Sequence, residues 1–260
     1  MKTIMEIKNL NLAFGGIKAV QDVSFDIHEH ELLGLIGPNG AGKTTVFNMI
    51  TGFYNPDSGQ AHFLGQSLLE KSPDQINKLG MARTFQNIRL FSKLSVLENV
   101  IIALQQRENL GWFESMFQTR GYLQKEASLK QRSLDLLKIF ELDQFAEELA
   151  TNLPYGKQRK LEIVRALACS PQLLILDEPA AGMNISETDD LRELILFVKK
   201  KFNLTILLIE HDMKLVMNLC DRIVVLNQGQ KIAEGKPAEI KANEDVIVAY
   251  LGQRSRKAQI

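Results

Sequence analysis

The stretch GPNGAGKT, residues 37–44, constrains this chain more than any other. It matches G-x-x-x-x-G-K-[ST] and lies between a dense apolar run, ELLGLIG (31–37), and a helix-like continuation, TTVFNMITG. A buried strand, a glycine turn and a helix start in that order build a cradle of backbone N–H groups for phosphate. The positive end of the helix dipole adds to it. In such a loop Lys43 reaches the β- and γ-phosphates, and the Thr44 hydroxyl holds Mg²⁺. A plain glycine turn with a solvated lysine is the alternative, and the flanking strand and helix argue against it.

Three further stretches carry chemistry. LLILDE (173–178) ends an apolar strand on two carboxylates. Asp177 is expected to hold Mg²⁺ through water, and Glu178 to polarise an attacking water as general base. His211 follows the run LTILLIE directly, at the carboxyl edge of a parallel strand. Ligands of open α/β sheets bind at that edge, so His211 is placed to bond a γ-phosphate. Gln86, in ARTFQNIRLF, is read as the end of another strand. On its own it would pass for a surface glutamine.

Residues 4–14 and 22–27 alternate as half-buried antiparallel strands do, while 172–177 and 204–210 are continuous apolar runs, as parallel strands covered on both faces are. RIVVLNQGQKIAEG reads as a hairpin turning at 227–229. Ser95 and Glu98 make a capping box ahead of an apolar helix, and further helices are expected over 128–140, 156–169 and 186–202. The segment 105–130, with Gly111, Gly121 and the single tryptophan Trp112, is polar and reads as irregular. The fold class expected is α/β: a P-loop NTPase core with a mostly parallel sheet, an N-terminal antiparallel β subdomain and an inserted α-helical subdomain. The core takes residues 1–86 and 171–260, the helical subdomain 87–170, and 253–260 form a disordered tail.

Composition narrows the partners. Lys+Arg and Asp+Glu balance at 31 each, which gives no electrostatic reason for nucleic acid binding. The longest apolar pieces, ILLI and VIIAL, fall short of the ~18 residues of a membrane span. Charges at Glu6 and Lys8 interrupt the start, so it does not read as a signal peptide. Cys169 and Cys220 lie in apolar helical contexts without metal spacing and read as buried thiols of a reducing compartment. A cytoplasmic protein is expected.

These pieces in this order resemble the ATP-binding cassette (ABC) ATPases over about residues 4–252. The resemblance implies an ATP site built by Gly37, Pro38, Asn39, Gly40, Ala41, Gly42, Lys43, Thr44 and Thr45. Phe14 would stack on adenine with Val20 beside it. It implies Mg²⁺ held by Thr44, Gln86 and Asp177, catalysis by Glu178, His211, Gln86 and Lys43, and a D-loop through Ala181, Gly182, Met183 and Asn184. The signature, usually LSGGQ, falls on Leu153, Pro154, Tyr155, Gly156, Lys157 and Gln158, and acts on the ATP of a second cassette. ARTFQNIRLFSKLSVLENV, LPYGKQRKLEIVRALA, DEPAAGMN and the tail GQKIAEGKPAEI…VIVAYLG look like the ATP-binding subunit of branched-chain amino-acid uptake transporters. That group implies two permease subunits, a second cassette, and a periplasmic or lipid-anchored binding protein. It also implies a place on the cytoplasmic face of the inner membrane. A permease helix would dock near Ile88, Leu90 and Phe91, a cluster that could equally pack on the helical core. Arg83 and Arg89 flank it and either pair with permease acids or face solvent.

The chain departs from the family at Pro154, where serine is usual, at Tyr155, where the first glycine is usual although the branched-chain group has tyrosine, at Lys157, where glutamine is usual, and at Asn184, where aspartate is common. The expected compensation is a set of N–H groups from Gly156 and its successors, with positive charge from Lys157 and Lys160. Two other readings stay open: an ATPase of lipid or lipopolysaccharide export, and a soluble ABC ATPase outside transport. The single phosphate loop, the lack of sustained heptads and the neutral charge argue against the second.

Overall fold

The computed structural model describes residues 2–106 and 120–257. The chain forms two compact units, residues 1–81 with 172–260, and residues 82–171. The first crossing therefore falls five residues before the expected one at 87, and Gln86 belongs to the second unit.

In the first unit, β1 (Thr3–Phe14), β2 (Ile17–His28), β4 (Ser58–Phe63) and β5 (Gln66–Ser67) form an antiparallel sheet in the order β2-β1-β4-β5. A six-stranded sheet runs β10-β9-β3-β8-β7-β6. Its members are β3 (Leu32–Ile36), β6 (Met81–Arg83), β7 (Leu173–Asp177), β8 (Thr205–Ile209), β9 (Arg222–Asn227) and β10 (Gln230–Gly235). The strands β9, β3, β8 and β7 are parallel, and every residue of β3, β7 and β8 is buried. That explains their unbroken apolar sequence. β10 returns antiparallel through a two-residue turn in which Gln228 and Gly229 both have positive φ, 49° and 80°. This is the turn geometry that matches strand twist. α1 (Lys43–Ile50) packs Val46, Phe47, Met49 and Ile50 into one core with inner residues of both sheets, among them Ile7, Phe63, Leu35 and Ile209.

Also in this unit are α2 (Pro73–Lys78), α6 (Ile185–Phe202), α7 (Met213–Leu219), α8 (Pro237–Ala242) and α9 (Glu244–Lys257). The last carries residues 253–257 as helix, where the sequence reading expects a disordered tail. Val246, buried, and Tyr250, half-buried one helical turn on, hold the start of this helix down. Cys220 here and Cys169 in the second unit are buried and form no disulfide, and burial pushes the Cys220 thiol well above its ordinary range.

The second unit is helical: α3 (Val96–Gln105), α4 (Arg120–Ile139) and α5 (Tyr155–Ala168), with α3 packed on both of the others. Ser95 caps α3, its oxygen accepting from the Glu98 amide at 3.1 Å while Glu98 accepts from the Ser95 amide at 2.7 Å. α4 starts at Arg120, eight residues before the expected helix start at 128. The stretch holding Gly121 reads as irregular, yet one glycine costs a helix only about 1 kcal/mol against alanine, and good helix formers follow it. The amphipathic patch Trp112, Phe113, Met116 and Phe117, which the sequence assigns to cover of the helical core or to a contact with membrane or permease, lies outside the described residues.

Candidate functional site

Parallel register sets the geometry of the first unit's site. Leu35, Ile209 and Asp177 align across β3, β8 and β7. The residues that follow each strand, 37–44, 210–211 and 178, therefore leave the sheet at the same carboxyl edge. This is the place where an open α/β sheet binds ligands.

The phosphate loop needs its glycines for space. Gly37 has φ 154°, and a Cβ there would lie 2.2 Å from the Leu226 carbonyl. Gly42 has φ 99°, and its Cβ would meet the Ala19 carbonyl at 2.6 Å. Lys43 is buried, and its ammonium donates to the carbonyls of Gly37 at 2.7 Å and Pro38 at 3.1 Å. Burial lowers its pKa, opposed by the nearby charges of Glu178, Asp177 and Glu210. Thr44, next to it, is exposed. A cavity of about 680 Å³ lies over residues 40–45, walled by Ile17, Lys18, Ala19 and Gln21 of β2 and by the β9–β10 hairpin. It does not include the acid–histidine group.

Two residues of the expected ATP site lie outside this cavity. Val20 does not line that cavity: it is 1% exposed and packs behind Gly42, because the alternation of β2 turns it into the core. Phe14 is not a wall of the cavity either. It is half exposed, edge-on to Tyr54 with ring centroids 5.4 Å apart.

At the ends of β7 and β8, Glu178 takes a left-handed backbone conformation, φ 42°, and its amide donates to the Ile209 carbonyl at 2.8 Å. Its carboxylate lies 3.5 Å from His211 Nδ1. Glu210, which the sequence reading passes over, organises this corner. Fully buried, it accepts from the amides of Ala180 at 2.9 Å, His211 at 3.1 Å and Asp212 at 3.4 Å. Burial raises its pKa against those three bonds. It thereby ties the end of β8 to the loop after β7. Only the tertiary fold brings Ala180 to it, although a charge between an apolar strand and a histidine was a signal to follow. Asn184 ends that loop as the N-cap of α6: it accepts from the Glu187 amide at 3.0 Å, and Glu187 returns a bond to the Asn184 amide at 2.9 Å. Asparagine and aspartate cap equally well, which accounts for this departure.

In the second unit Pro154 is the N-cap of α5, and its carbonyl accepts from the amides of Lys157 at 2.9 Å and Gln158 at 3.0 Å. Of the N–H groups expected to face an anion, these two are taken. The lysines are also engaged: Lys157 Nζ sits 3.8 Å over the Phe145 ring, and Lys160 Nζ donates to the Phe140 carbonyl at 3.2 Å. The expected positive charge is held against this unit's own groups. Gln158 Nε2 donates to the Leu153 carbonyl at 2.8 Å.

Gln86 is exposed and lies three residues beyond β6, in a bend rather than at a strand end. Ile88 and Leu90 are half-buried and Phe91 is 42% exposed. Arg83 and Arg89 stack over the Phe85 ring, at 4.5 and 4.3 Å. Neither stands as a freely solvated charge.

The ABC transporter family model matches residues 20–181, and the model of the branched-chain amino acid ATP-binding cassette transporters matches residues 230–255. A high-affinity branched-chain amino acid transport ATP-binding protein of Pseudomonas aeruginosa is 44% identical over 252 residues, 97% of this chain and 99% of that protein. One from Escherichia coli is 45% identical over 250 residues, 96% and 98% of the two. Among solved structures, an ATP-binding cassette of an ABC transporter in its ADP conformation superposes with a TM-score of 0.84 at 31% identity. That match covers 97% of this chain and 100% of the other. A dimeric ATP-binding cassette in a post-hydrolysis state, bound to ADP and Pi, gives 0.73 at 25% identity over 90% and 98%. With the family model spanning more than half of the sequence and relatives aligned over nearly all of it, the chain belongs to the ABC transporter family, as one of its ATP-binding cassettes.

Proposed function

We propose that this cassette is the ATP-hydrolysing subunit of an importer for branched-chain, hydrophobic amino acids. The observation that carries the ATPase reading is the convergence of the phosphate loop, Asp177, Glu178 and His211 at one sheet edge. The substrate class comes from the relatives.

In this reading residues 37–45 cradle the phosphates with main-chain amides. Lys43 exchanges two neutral carbonyl acceptors for phosphate oxygens, a stronger charge-assisted contact. A buried ammonium whose charge is disfavoured by desolvation gains from an anion more than a solvated one does. Phe14 is assigned the adenine contact.

The exposed Thr44 hydroxyl and the Asp177 carboxylate are hard oxygen donors, the kind that fits Mg²⁺. These two residues, with Gln86, are assigned as its holders. When bound, the ion supplies charge neutralisation at the β- and γ-phosphates. Glu178 takes the proton of the attacking water, and His211, beside it, orients on the γ-phosphate and senses its loss.

A second cassette is the partner that residues 153–158 and 181–184 serve. Two permeases engage Ile88, Leu90 and Phe91, and a periplasmic or lipid-anchored binding protein delivers substrate to them; nucleic acid has no part. Among the described residues no helix is long and apolar enough to cross a membrane. The cassette is assigned to the cytoplasmic face of the inner membrane through its permeases.

Glu178→Gln tests the reading. Removing a general base lowers the rate by about 10²–10⁴-fold. The variant is expected to keep ATP binding, to accumulate an ATP-bound dimer by size exclusion, and to abolish leucine uptake in cells while dipeptide uptake persists. Hydrolysis at the parent rate removes Glu178 from the role. Leucine uptake unchanged in a hydrolysis-dead variant removes the substrate class.

A further inference from the structure

The helix that follows the signature carries a buried ion pair. Arg159 is 1% exposed and Glu162, one turn on, is 5% exposed, with Nη1 and Oε2 2.7 Å apart. Burying two charges is costly, and such pairs are often no more stabilising than apolar residues of the same size. What this pair holds is therefore informative. Arg159 Nη1 donates to the Phe85 carbonyl at 2.7 Å, and Nη2 donates to the Gln86 carbonyl at 2.8 Å. Glu162 Oε1 accepts from the amides of Phe85 at 3.2 Å and Arg89 at 3.4 Å. Nη2 also reaches the Tyr155 hydroxyl at 3.4 Å, in the signature itself.

The next turn repeats the pattern, Arg165 donating to the Arg89 carbonyl and stacking 4.7 Å from the Phe91 ring centre. From α3, the fully buried Asn99 accepts from the Phe91 amide at 2.9 Å and donates to the Phe91 carbonyl at 3.2 Å. In the loop 85–91, main-chain groups of Phe85, Gln86, Arg89 and Phe91 are held by side chains of α5 and α3.

We infer that Arg159 and Glu162 are positioning residues for Gln86. They fix the main chain on either side of it and, through Tyr155, set the signature and the Gln86 segment in one register. The inference rests on the role assigned to Gln86 above. Burial raises the pKa of Glu162, against the pull of Arg159 and two amides. A lysine at 159 keeps the charge but loses the planar fork that serves two carbonyls and a carboxylate at once. A glutamine at 162 keeps the shape and gives up the charge.

The test uses the full chain and membrane vesicles holding the assembled transporter. Arg159→Lys is expected to lower the ATPase turnover about tenfold with the ATP Kd held within about twofold, and to lose that effect in a Gln86→Ala background. Glu162→Gln is expected to speed hydrogen exchange at the Phe85 and Arg89 amides about tenfold or more, with the cores of α3 and α5 still protected. The same tenfold loss in the Gln86→Ala background overturns the inference, as does unchanged exchange at Phe85 and Arg89. Gln86→Ala at the parent rate removes the role of Gln86, and the inference with it. Unchanged exchange beside an impaired Gln86→Ala removes the positioning alone.

Discussion

Two helix starts in this cassette are assigned to phosphate, α1 after the loop and α5 after Pro154, and they are built differently. Neither has a side-chain cap. At α1 the Gly42 carbonyl accepts from Val46, the ordinary first helical bond, while glycine conformations draw the preceding loop out of the way. At α5 the Pro154 carbonyl accepts from both Lys157 and Gln158, so one more amide of the first turn is spent internally. The first start works through main-chain shape and is intolerant of change, since added Cβ atoms at Gly37 and Gly42 would strike carbonyls. The second has absorbed its substitutions locally, with Lys157 on an aromatic ring and Gln158 on a carbonyl. A motif that encodes backbone geometry leaves no room for another residue; one that encodes side-chain contacts can have them replaced.

The largest expected effect that sharpens this contrast is Lys43→Ala. A hydrogen bond to a charged group is worth about 1.5–3 kcal/mol, so ATP affinity should fall by about 10- to 150-fold. The sign of its effect on stability is opposite. Burial lowers the pKa of Lys43, so at neutral pH the folded state carries a charge it disfavours; that cost fades only as pH rises through the lowered pKa toward that of the unfolded chain. The variant should therefore melt at the parent temperature or above without nucleotide, and gain little on adding ATP. A lower melting temperature with a full ATP shift would make Lys43 a structural residue and dissolve the contrast.

A third helix start bears on the second half of the comparison. Asn184 caps α6 with its side chain, the device that α5 lacks. Asn184→Ala should cost about 1 kcal/mol, within a range of ~0.5–2, read as a lower denaturant midpoint at unchanged slope. Asn184→Asp should restore it. If aspartate fails where asparagine succeeds, something other than capping holds that position.

How much of this was readable beforehand follows the same division. The strands β3, β7 and β8 are apolar throughout because both faces are covered, and the phosphate loop is a local pattern, so each declares itself in a few residues. Glu178 and His211 were legible because parallel strands deliver their ends to one edge. Arg159 and Glu162 were not, since nothing near 159 in sequence tells that its guanidinium will meet carbonyls at 85 and 86. Glu210 was half legible: its charge between an apolar strand and His211 was a signal, but only the tertiary fold brings Ala180 to it. The sequence does not announce α7, whose cap is Asp212: its side chain accepts from the Lys214 amide at 2.8 Å, directly after the histidine that draws the eye. Val20 shows the converse case, a family assignment that falls on a residue whose strand parity points it inward.

The smallest effect is expected at the signature, and it separates two substitutions that the sequence treats as one departure. Pro154→Ser supplies a hydroxyl able to accept from the Lys157 amide, worth about 1 kcal/mol as an N-cap. It also gives back about 0.4–1 kcal/mol through a freer unfolded chain. The two nearly cancel, so the melting temperature should stay within about 3 °C, and ATPase activity should hold or rise as a hydroxyl joins the site. Tyr155→Gly differs in kind. It places glycine in the first turn, at about 1 kcal/mol, and removes the hydroxyl that Arg159 reaches. Added to Pro154→Ser, it should lower turnover more than it lowers affinity for ATP. A double variant as active as Pro154→Ser alone would mean that Tyr155 transmits nothing, and that the tie between the signature and Arg159 is packing only. A fall on Pro154→Ser itself would mean that the proline conformation, and not its missing hydroxyl, is what this helix start requires.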